Sequence, residues 1–580
     1  MKKKLSPFQR YGQSIINFKK NKEPNHDLRI YFLPLLVIIL FLVLIVRLFQ
    51  LTIVKGAYYR YLAENNRVRE IDIEAPRGKI LDRKGFVLAY STQIKSGSTT
   101  TDEKTKRIYN DGEVLAHLLG YRQLASEDDL KNDVCPIKLK LNDKIGKDGV
   151  EKIYDCQLRG KKGKRLIEVD AKGKQIKTIT VLPPSEGETI RLSLDLELQK
   201  KAYELINSDL MKIKDKKAAI IATKPQTGEI LILASSPSFN PQDFEENNQS
   251  AIESYLTDKD KPLFNRVSKG TYPPGSTIKP VIATAALEEK AIDEHFSVED
   301  TGTIKAGPLS FGNWYFLQYG KTEGKVNVVK GIRRSNDIFF YKTGERLGEE
   351  KIKIWLEKFG FGKKTGIKLD EEEGLIPSSF WKQEIFSDRW YLGDTYNLSI
   401  GQGYVLVTPL QLNLATAVFA NEGYLCSPQL LKLTNSSRPY QNGQCRRLSI
   451  SQKTLDLVRE GMKQACSPGG TGWPLFDFSI KTVFEKDSLL KKEPEARKTA
   501  AVLEASPSGT VAVKIQTGCK TGTAETYGKT KLPHAWFTIF APFDNPEIVL
   551  TVLVEEGGQG SDVAAPIAKE ILKSYFERKE

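Results

Sequence analysis

The chain has 580 residues, of which 87 are Lys or Arg and 72 Asp or Glu, for a formal net charge of +15. That length holds two or three domains with ample core. Without a nucleic-acid-binding motif or an internal repeat the basic excess implies no nucleic-acid partner, and four histidines with no ligand cluster leave no candidate metal site.

Residues 1–29 form a basic tail, with Lys2, Lys3, Lys4, Arg10, Lys19, Lys20, Lys22 and Arg29 against Glu23 and Asp27. Residues 30–54 are apolar apart from Arg47 and a few polar positions, about the ~20 residues a membrane helix needs. Arg47 can snorkel to the interface. A cleaved signal peptide is the alternative, but the run is long and no small-residue cleavage site follows it. The positive-inside rule puts the tail in the cytoplasm and everything beyond about residue 55 outside the cytoplasmic membrane. Residues 55–184 read as strand-rich, charged and irregular, weakly structured near Ser96–Thr101, and carry no catalytic constellation. Pro183-Pro184-Ser185 marks a hinge, and residues 185–580 follow as one domain. There, Ala218–Ala222 and Glu229–Ala234 flank Pro225-Gln226-Thr227-Gly228, a hairpin signal. Strands at both ends with helices between predict an α+β fold, an antiparallel sheet sandwiched by helices.

Three segments in that domain carry chemistry: Ser276-Thr277-Ile278-Lys279, Ser335-Asn336-Asp337 and Lys520-Thr521-Gly522. S-x-x-K, an S-x-N-like triplet and K-T-G, in that order, are the active-site set of penicillin-interacting serine acyltransferases. A serine hydroxyl needs a base to become a nucleophile. Ser276 and Lys279 at i and i+3 share a helix face, and burial beside another cation lowers a lysine pKa. Each motif also has decoys: Ser379–Lys382 and Ser488–Lys491 read S-x-x-K, and Lys342–Gly344 and Lys364–Gly366 read K-T-G. Context separates them. Tyr272-Pro273-Pro274-Gly275 stops the chain before Ser276 and Pro280–Leu287 continues as a buried helix, whose N-terminus favours developing negative charge. Val511–Gln516 alternates like a strand ahead of Lys520, and His534–Phe540 supplies a second strand, so K-T-G is expected on the inner strand of a hairpin. The decoys at 342 and 364 fall in helix-end and loop sequence, and Ser379 in a loop opened by Pro377.

With these motifs the chain resembles the class B penicillin-binding proteins, the monofunctional D,D-transpeptidases of peptidoglycan. Arg77–Ala89, Gly149–Gly160, Leu192–Gln199, and Ile400–Gly403 with Thr408–Gln411 are similar to further family segments in the same order. The resemblance implies a penicillin-binding transpeptidase fold, with 55–184 as a pedestal (dimerisation-like) domain, 185–580 as the transpeptidase domain, and no room for a glycosyltransferase domain. It implies that Ser276 attacks the penultimate D-Ala carbonyl of a stem peptide, that Lys279 accepts its proton, and that Ser335 relays it with Lys520 as tuner. Lys520, Thr521 and Thr523 of the Lys520-Thr521-Gly522-Thr523 run would hold the terminal carboxylate, and the Ser276 and Thr523 N–H groups would form the oxyanion hole. No cofactor is implied. The implied partners are lipid II-derived stem peptides, β-lactams, a SEDS-family glycosyltransferase and other membrane proteins of wall synthesis. Asp337 stands where many relatives have Asn, which resembles the elongation-type enzymes more than the division type. A long segment, Thr471–Thr510, looks inserted before the third motif and reads as a surface loop or a partner-binding element.

The competing readings are a serine β-lactamase and a β-lactam-sensing or structural wall protein. The first lacks a Glu four residues before an Asn between the second and third motifs and has no use for an anchor; the second lacks a transducing domain. Six cysteines in an exported chain can form disulfides or stay as buried thiols. Neighbour pairing would give Cys135–Cys156, Cys426–Cys445 and Cys466–Cys519, the last bracing the K-T-G strand from behind.

Overall fold

A computed structural model describes residues 29–95, 103–170, 175–208, 217–433, 444–483, 510–526 and 531–578. They divide into two compact units: residues up to 72 with 164–182, and residues 73–163 with 183 onward. In the first, helix α1 (Arg29–Phe49) opens a 23-residue apolar stretch, Phe32–Val54, of mean hydropathy 3.1 and with none of it buried. At ~1.5 Å per residue such a helix matches the ~30 Å hydrocarbon core of a bilayer. The same unit holds a three-stranded sheet of β1 (Val68–Ile73), β2 (Gly163–Val169) and β3 (Gln175–Leu182), in that order.

In the second unit, residues 73–163 contribute a small sheet and a buried ion network. Arg77 and Arg107 both clasp Glu151, at 2.5 and 2.7 Å, and Arg122 clasps Glu245 at 2.7 Å. These charges are buried but paired, which is the condition for burying them. The large sheet runs β5-β4-β8-β7-β6, built from β4 (Ala218–Thr223), β5 (Ile230–Ser236), β6 (Gly518–Ala524), β7 (His534–Ala541) and β8 (Ile548–Val554). Every neighbouring pair is antiparallel. Ala219 and Ile221 face one hydrophobic core, Ala218, Ile220 and Ala222 the other. With both faces covered, β4, β5 and β8 are buried along their whole length and mostly apolar, while β6 carries Lys520, Thr521 and Thr523.

The first core holds helices α2 (Lys279–Glu288), α3 (Val328–Arg334), α4 (Asp337–Leu347) and, after α5 (Ser379–Phe386) and α6 (Leu392–Ser399), α7 (Pro409–Ala420). All of α7 is buried, as expected of a helix apolar all round. Helix α8 (Gln452–Ala465) packs beside α3, and α9 (Ala564–Glu577) covers the second face. This is the α+β sandwich expected from the sequence.

Three local expectations need correction. Val511–Gln516 does not run into the K-T-G strand: Thr510–Lys514 pairs with Ser479–Val483 as a separate ribbon, and β6 starts at Gly518. Ser379 is not in a loop. It is the first residue of α5, capped by the Ser378 side chain, which accepts from Trp381 N. Lys342–Gly344 lies within α4, not at a helix end, and Thr343 Oγ1 donates back to Phe339 O at 2.8 Å. Most of the Thr471–Thr510 segment, Ser96–Thr101 and Ser488 lie outside the described residues. All six cysteines are paired as neighbours: Cys135–Cys156, Cys426–Cys445 and Cys466–Cys519.

Candidate active site

The nucleophile candidate Ser276 sits half-buried in a single 3-10 turn, Gly275–Ile278, that leads into α2. The α-helical face expected for Ser276 and Lys279 is therefore a 3-10 turn, in which i and i+3 eclipse and still share a side. The turn is clamped from three directions. Trp536 Nε1 on β7 donates to Pro273 O at 2.9 Å, Thr277 Oγ1 donates to Pro274 O at 2.7 Å, and Gly275 N donates to Gly401 O at 2.8 Å. The K-T-G strand approaches so closely that a Cβ on Gly522 would lie 2.7 Å from Thr277 Cγ2. Glycine in the third place of that motif is a packing requirement. Gly275 has φ +54°, and its Cβ would meet Thr523 O at 2.9 Å, so the turn needs glycine on both counts.

Ser335 closes α3 with φ +56°, a left-handed backbone rare for a residue with a side chain. Such strain persists where surroundings over-determine it. Asn336 next caps α4, its side chain accepting from Phe339 N at 2.9 Å. Two buried lysines converge on Ser335. Lys520 Nζ donates to Ser335 Oγ at 2.9 Å and to Thr521 O at 2.9 Å. Lys279 Nζ donates to Ser335 O at 2.7 Å, to Asp337 Oδ1 at 2.7 Å, and more weakly to Ser335 Oγ at 3.4 Å. Both lysines are 0% exposed. Burial pushes Lys279 below the ordinary lysine value, against the pull of the Asp337 carboxylate. Burial, with the Lys279 charge added, pushes Lys520 well below it. Burial thus weakens proton binding at both amines, and at each the Asp337 carboxylate opposes it.

The structure thus brings Ser335, Lys279, Asp337 and Lys520 into one hydrogen-bonded cluster, and Gly522 and Thr523 against the Ser276 turn. Thr521 Oγ1 donates to Thr471 Oγ1 at 2.8 Å. The sequence marks Thr471 only as the start of the long segment before the third motif and gives no sign of this contact. Also missed is the network that aims the second motif. The buried Asp300 carboxylate accepts from Asn313 Nδ2 and Asn336 Nδ2, each at 2.8 Å. Asn313 Oδ1 accepts from Asp337 N at 3.1 Å, and Trp314 N donates to Asp337 Oδ2 at 3.0 Å. No local signal marks these residues, because their partners lie on other elements. Among the described residues no cluster suits a metal ion.

Residues 218–573 match the penicillin binding protein transpeptidase domain, and residues 93–192 the penicillin-binding protein dimerisation domain. The peptidoglycan D,D-transpeptidase MrdA of Salmonella typhimurium is 32% identical over 84% of this chain and 75% of its own length. The structure of Pseudomonas aeruginosa PBP2 in complex with WCK 5153 superposes with a TM-score of 0.68, at 30% identity, over 88% of this chain and 96% of that one. Helicobacter pylori PBP2, in its complex with MreC, gives a TM-score of 0.68 at 27% identity, over 88% of this chain and 99% of that one. With a family match over more than half its length and a serine, two lysines and an aspartate converging where the three motifs meet, the chain belongs to the penicillin-binding protein transpeptidase family.

Proposed function

We propose that this chain is an anchored peptidoglycan D,D-transpeptidase that cross-links stem peptides through an acyl-enzyme on Ser276. The observation that carries this reading is Ser335 Oγ, which lies 2.9 Å from the Lys520 amine and 3.4 Å from that of Lys279 beside the Ser276 turn. Ser276 Oγ attacks the penultimate D-Ala carbonyl, the bond to the terminal D-Ala breaks, and the Ser276 proton leaves with that amine. Lys279, whose amine burial pushes below the ordinary lysine value, accepts the Ser276 proton in this reading, and Ser335, 2.9 Å from the Lys520 amine, relays it to the leaving group. Lys520, Thr521 and Thr471 are placed in this reading around the substrate carboxylate, and the N–H groups of Ser276 and Thr523 around the oxyanion, each such donor contributing roughly 3–4 kcal/mol in comparable sites.

In the same reading residues 1–29 are cytoplasmic, 30–54 span the membrane, 55–184 form the pedestal and 185–580 the catalytic domain outside the cytoplasmic membrane. The Asp337 side chain and the MrdA-type relative favour an elongation role, with an MreC-type protein and a SEDS-family glycosyltransferase as partners. Incubation of the full-length protein with a fluorescent penicillin tests the core of the proposal. Covalent labelling is expected, abolished by Ser276→Ala and retained in Ser379→Ala. Labelling that survives Ser276→Ala would overturn it.

A further inference from the structure

Thr471 meets Thr521 from a loop with little stiffness of its own. The loop follows α8 and places glycine at 469, 470 and 472 around the threonine, with Gly469 at φ +84°. Glycine adds backbone freedom, so the position of the Thr471 hydroxyl depends on contacts from outside. The ends of the loop are fixed by the Cys466–Cys519 bond and by Gly472 N, which donates to Ala465 O at 2.8 Å. Its apex is held from the last turn of α3. Arg333 Nη2 donates to Pro468 O at 2.9 Å, and Arg334 Nη1 donates to Gly469 O at 3.0 Å.

Arg334 is anchored in turn. Its Nε donates to Glu323 Oε1 at 2.8 Å, with the two side chains 20% and 11% exposed. Glu323 N donates to Asp300 Oδ2 at 3.0 Å, the carboxylate oxygen that also takes Asn336. The guanidinium lies 5.7 and 5.2 Å from the ring centroids of Trp314 and Tyr315. Glu323 already answers the Arg334 charge, so what the side chain adds is geometry. A guanidinium carries its donors in a rigid planar fork and can serve Glu323 and Gly469 together, which a lysine ammonium is not shaped to do. Ser335, the next residue, has holds of its own: Lys279 Nζ on its carbonyl and Lys520 Nζ on its hydroxyl. Because Thr521 donates to Thr471, the Thr471 hydroxyl hydrogen is left to donate to a carboxylate. We propose that Arg334 is a positioning residue for the reaction, holding Gly469 O so that Thr471 is set to receive the terminal carboxylate of the donor stem peptide. This rests on the transpeptidase reading above.

The test uses full-length protein and two donors on one scaffold: an acyl-D-alanyl thioglycolate, which ends in a carboxylate, and its methyl ester, which does not. Thiol release gives kcat and KM for each, and wild type is expected to prefer the carboxylate. Arg334→Gln is expected to raise the KM of the carboxylate donor about tenfold, the scale of one lost charged hydrogen bond, with its kcat and the kcat/KM of the methyl ester within about twofold of wild type. Added to Thr471→Val, the same substitution is expected to lose less than about twofold more, because the two residues act through one contact. Equal losses on both donors, which a merely structural role would give, overturn the inference. An unchanged preference overturns it too, and so does a full further loss on top of Thr471→Val. If Arg334→Gln does not fold, Arg334→Lys is read alone, since it keeps the charge and loses the fork: a preference reduced about threefold or more supports the inference, and a smaller reduction overturns it. A wild-type protein acylated neither by these donors nor by penicillin refutes the transpeptidase reading itself. One that is acylated and prefers the carboxylate donor, while the Arg334 variants keep that preference, refutes only the role of Arg334.

Discussion

Replacing Asp337 by Asn tests the electrostatics of the site with almost no change of shape. The carboxylate lies 2.7 Å from Lys279 Nζ, with the lysine side chain 0% and the aspartate side chain 11% exposed. Its charge raises both Lys279 and Lys520 against burial. Asn retains an acceptor oxygen but not the charge. A hydrogen bond to a charged group contributes about 1.5–3 kcal/mol, so removing the charge takes support on that scale from the protonated lysine and lowers both lysine pKa values. Acylation needs a neutral amine. The sign follows: the protonated amine becomes harder to keep, the neutral form persists to lower pH, and the acid limb of the rate profile moves to lower pH. Single-turnover acylation by a fluorescent penicillin, followed from pH 5 to 9, reads this directly. An acid limb that stays in place, or moves to higher pH, would refute the account of the lysine pair.

Gly522→Ala would put a Cβ 2.7 Å from Thr277 Cγ2 and 3.1 Å from Pro274 O; overpacking of this kind costs about 1–3 kcal/mol, seen as a lower Tm together with slower acylation because the displaced turn carries Ser276. Reduction of Cys466–Cys519, which closes a 53-residue separation, should lower stability by ~4 kcal/mol in the chain-entropy model, measured by denaturant unfolding of Cys466→Ser with Cys519→Ser against the parent; an unchanged midpoint would dismiss the brace. The acyl-enzyme formed with a β-lactam should persist for many minutes in intact-mass spectra, since the carboxylate of the cluster, Asp337, is taken up by Lys279 Nζ and Trp314 N rather than left to activate a deacylating water, and rapid turnover of a chromogenic cephalosporin would restore the β-lactamase reading.

Short-range patterns in the sequence determined much of this protein. A run of apolar residues needs no partner to be read as a helix of membrane length, and Phe32–Val54 is one. Apolar segments beside turn residues marked the β4–β5 hairpin, and the apolar run His534–Phe540 marked β7. The three motifs carried their chemistry in their own residue types, and the Pro-Pro-Gly turn singled out Ser276 from its decoys. The neighbour pairing of cysteines was one option among many until the fold put Cys466 and Cys519 Cα atoms 5.7 Å apart, within the reach of a disulfide. Local pattern misled where two elements abut: Val511–Lys514 alternates well, but its partner is Ser479–Val483, and alternation cannot name a partner. What only tertiary structure decided is the arrangement around Ser335. Its hydroxyl meets an amine 185 positions away in sequence, and Asp300 reaches Asn336 across 36. Such contacts depend on how helices pack on the sheet, and residues that act through them, Asp300, Asn313, Trp314 and Thr471, have no periodicity or spacing of their own to betray them. The sequence names the candidate reacting groups because chemistry restricts their type; the groups that aim them are restricted only by position, and position exists only once the chain has folded.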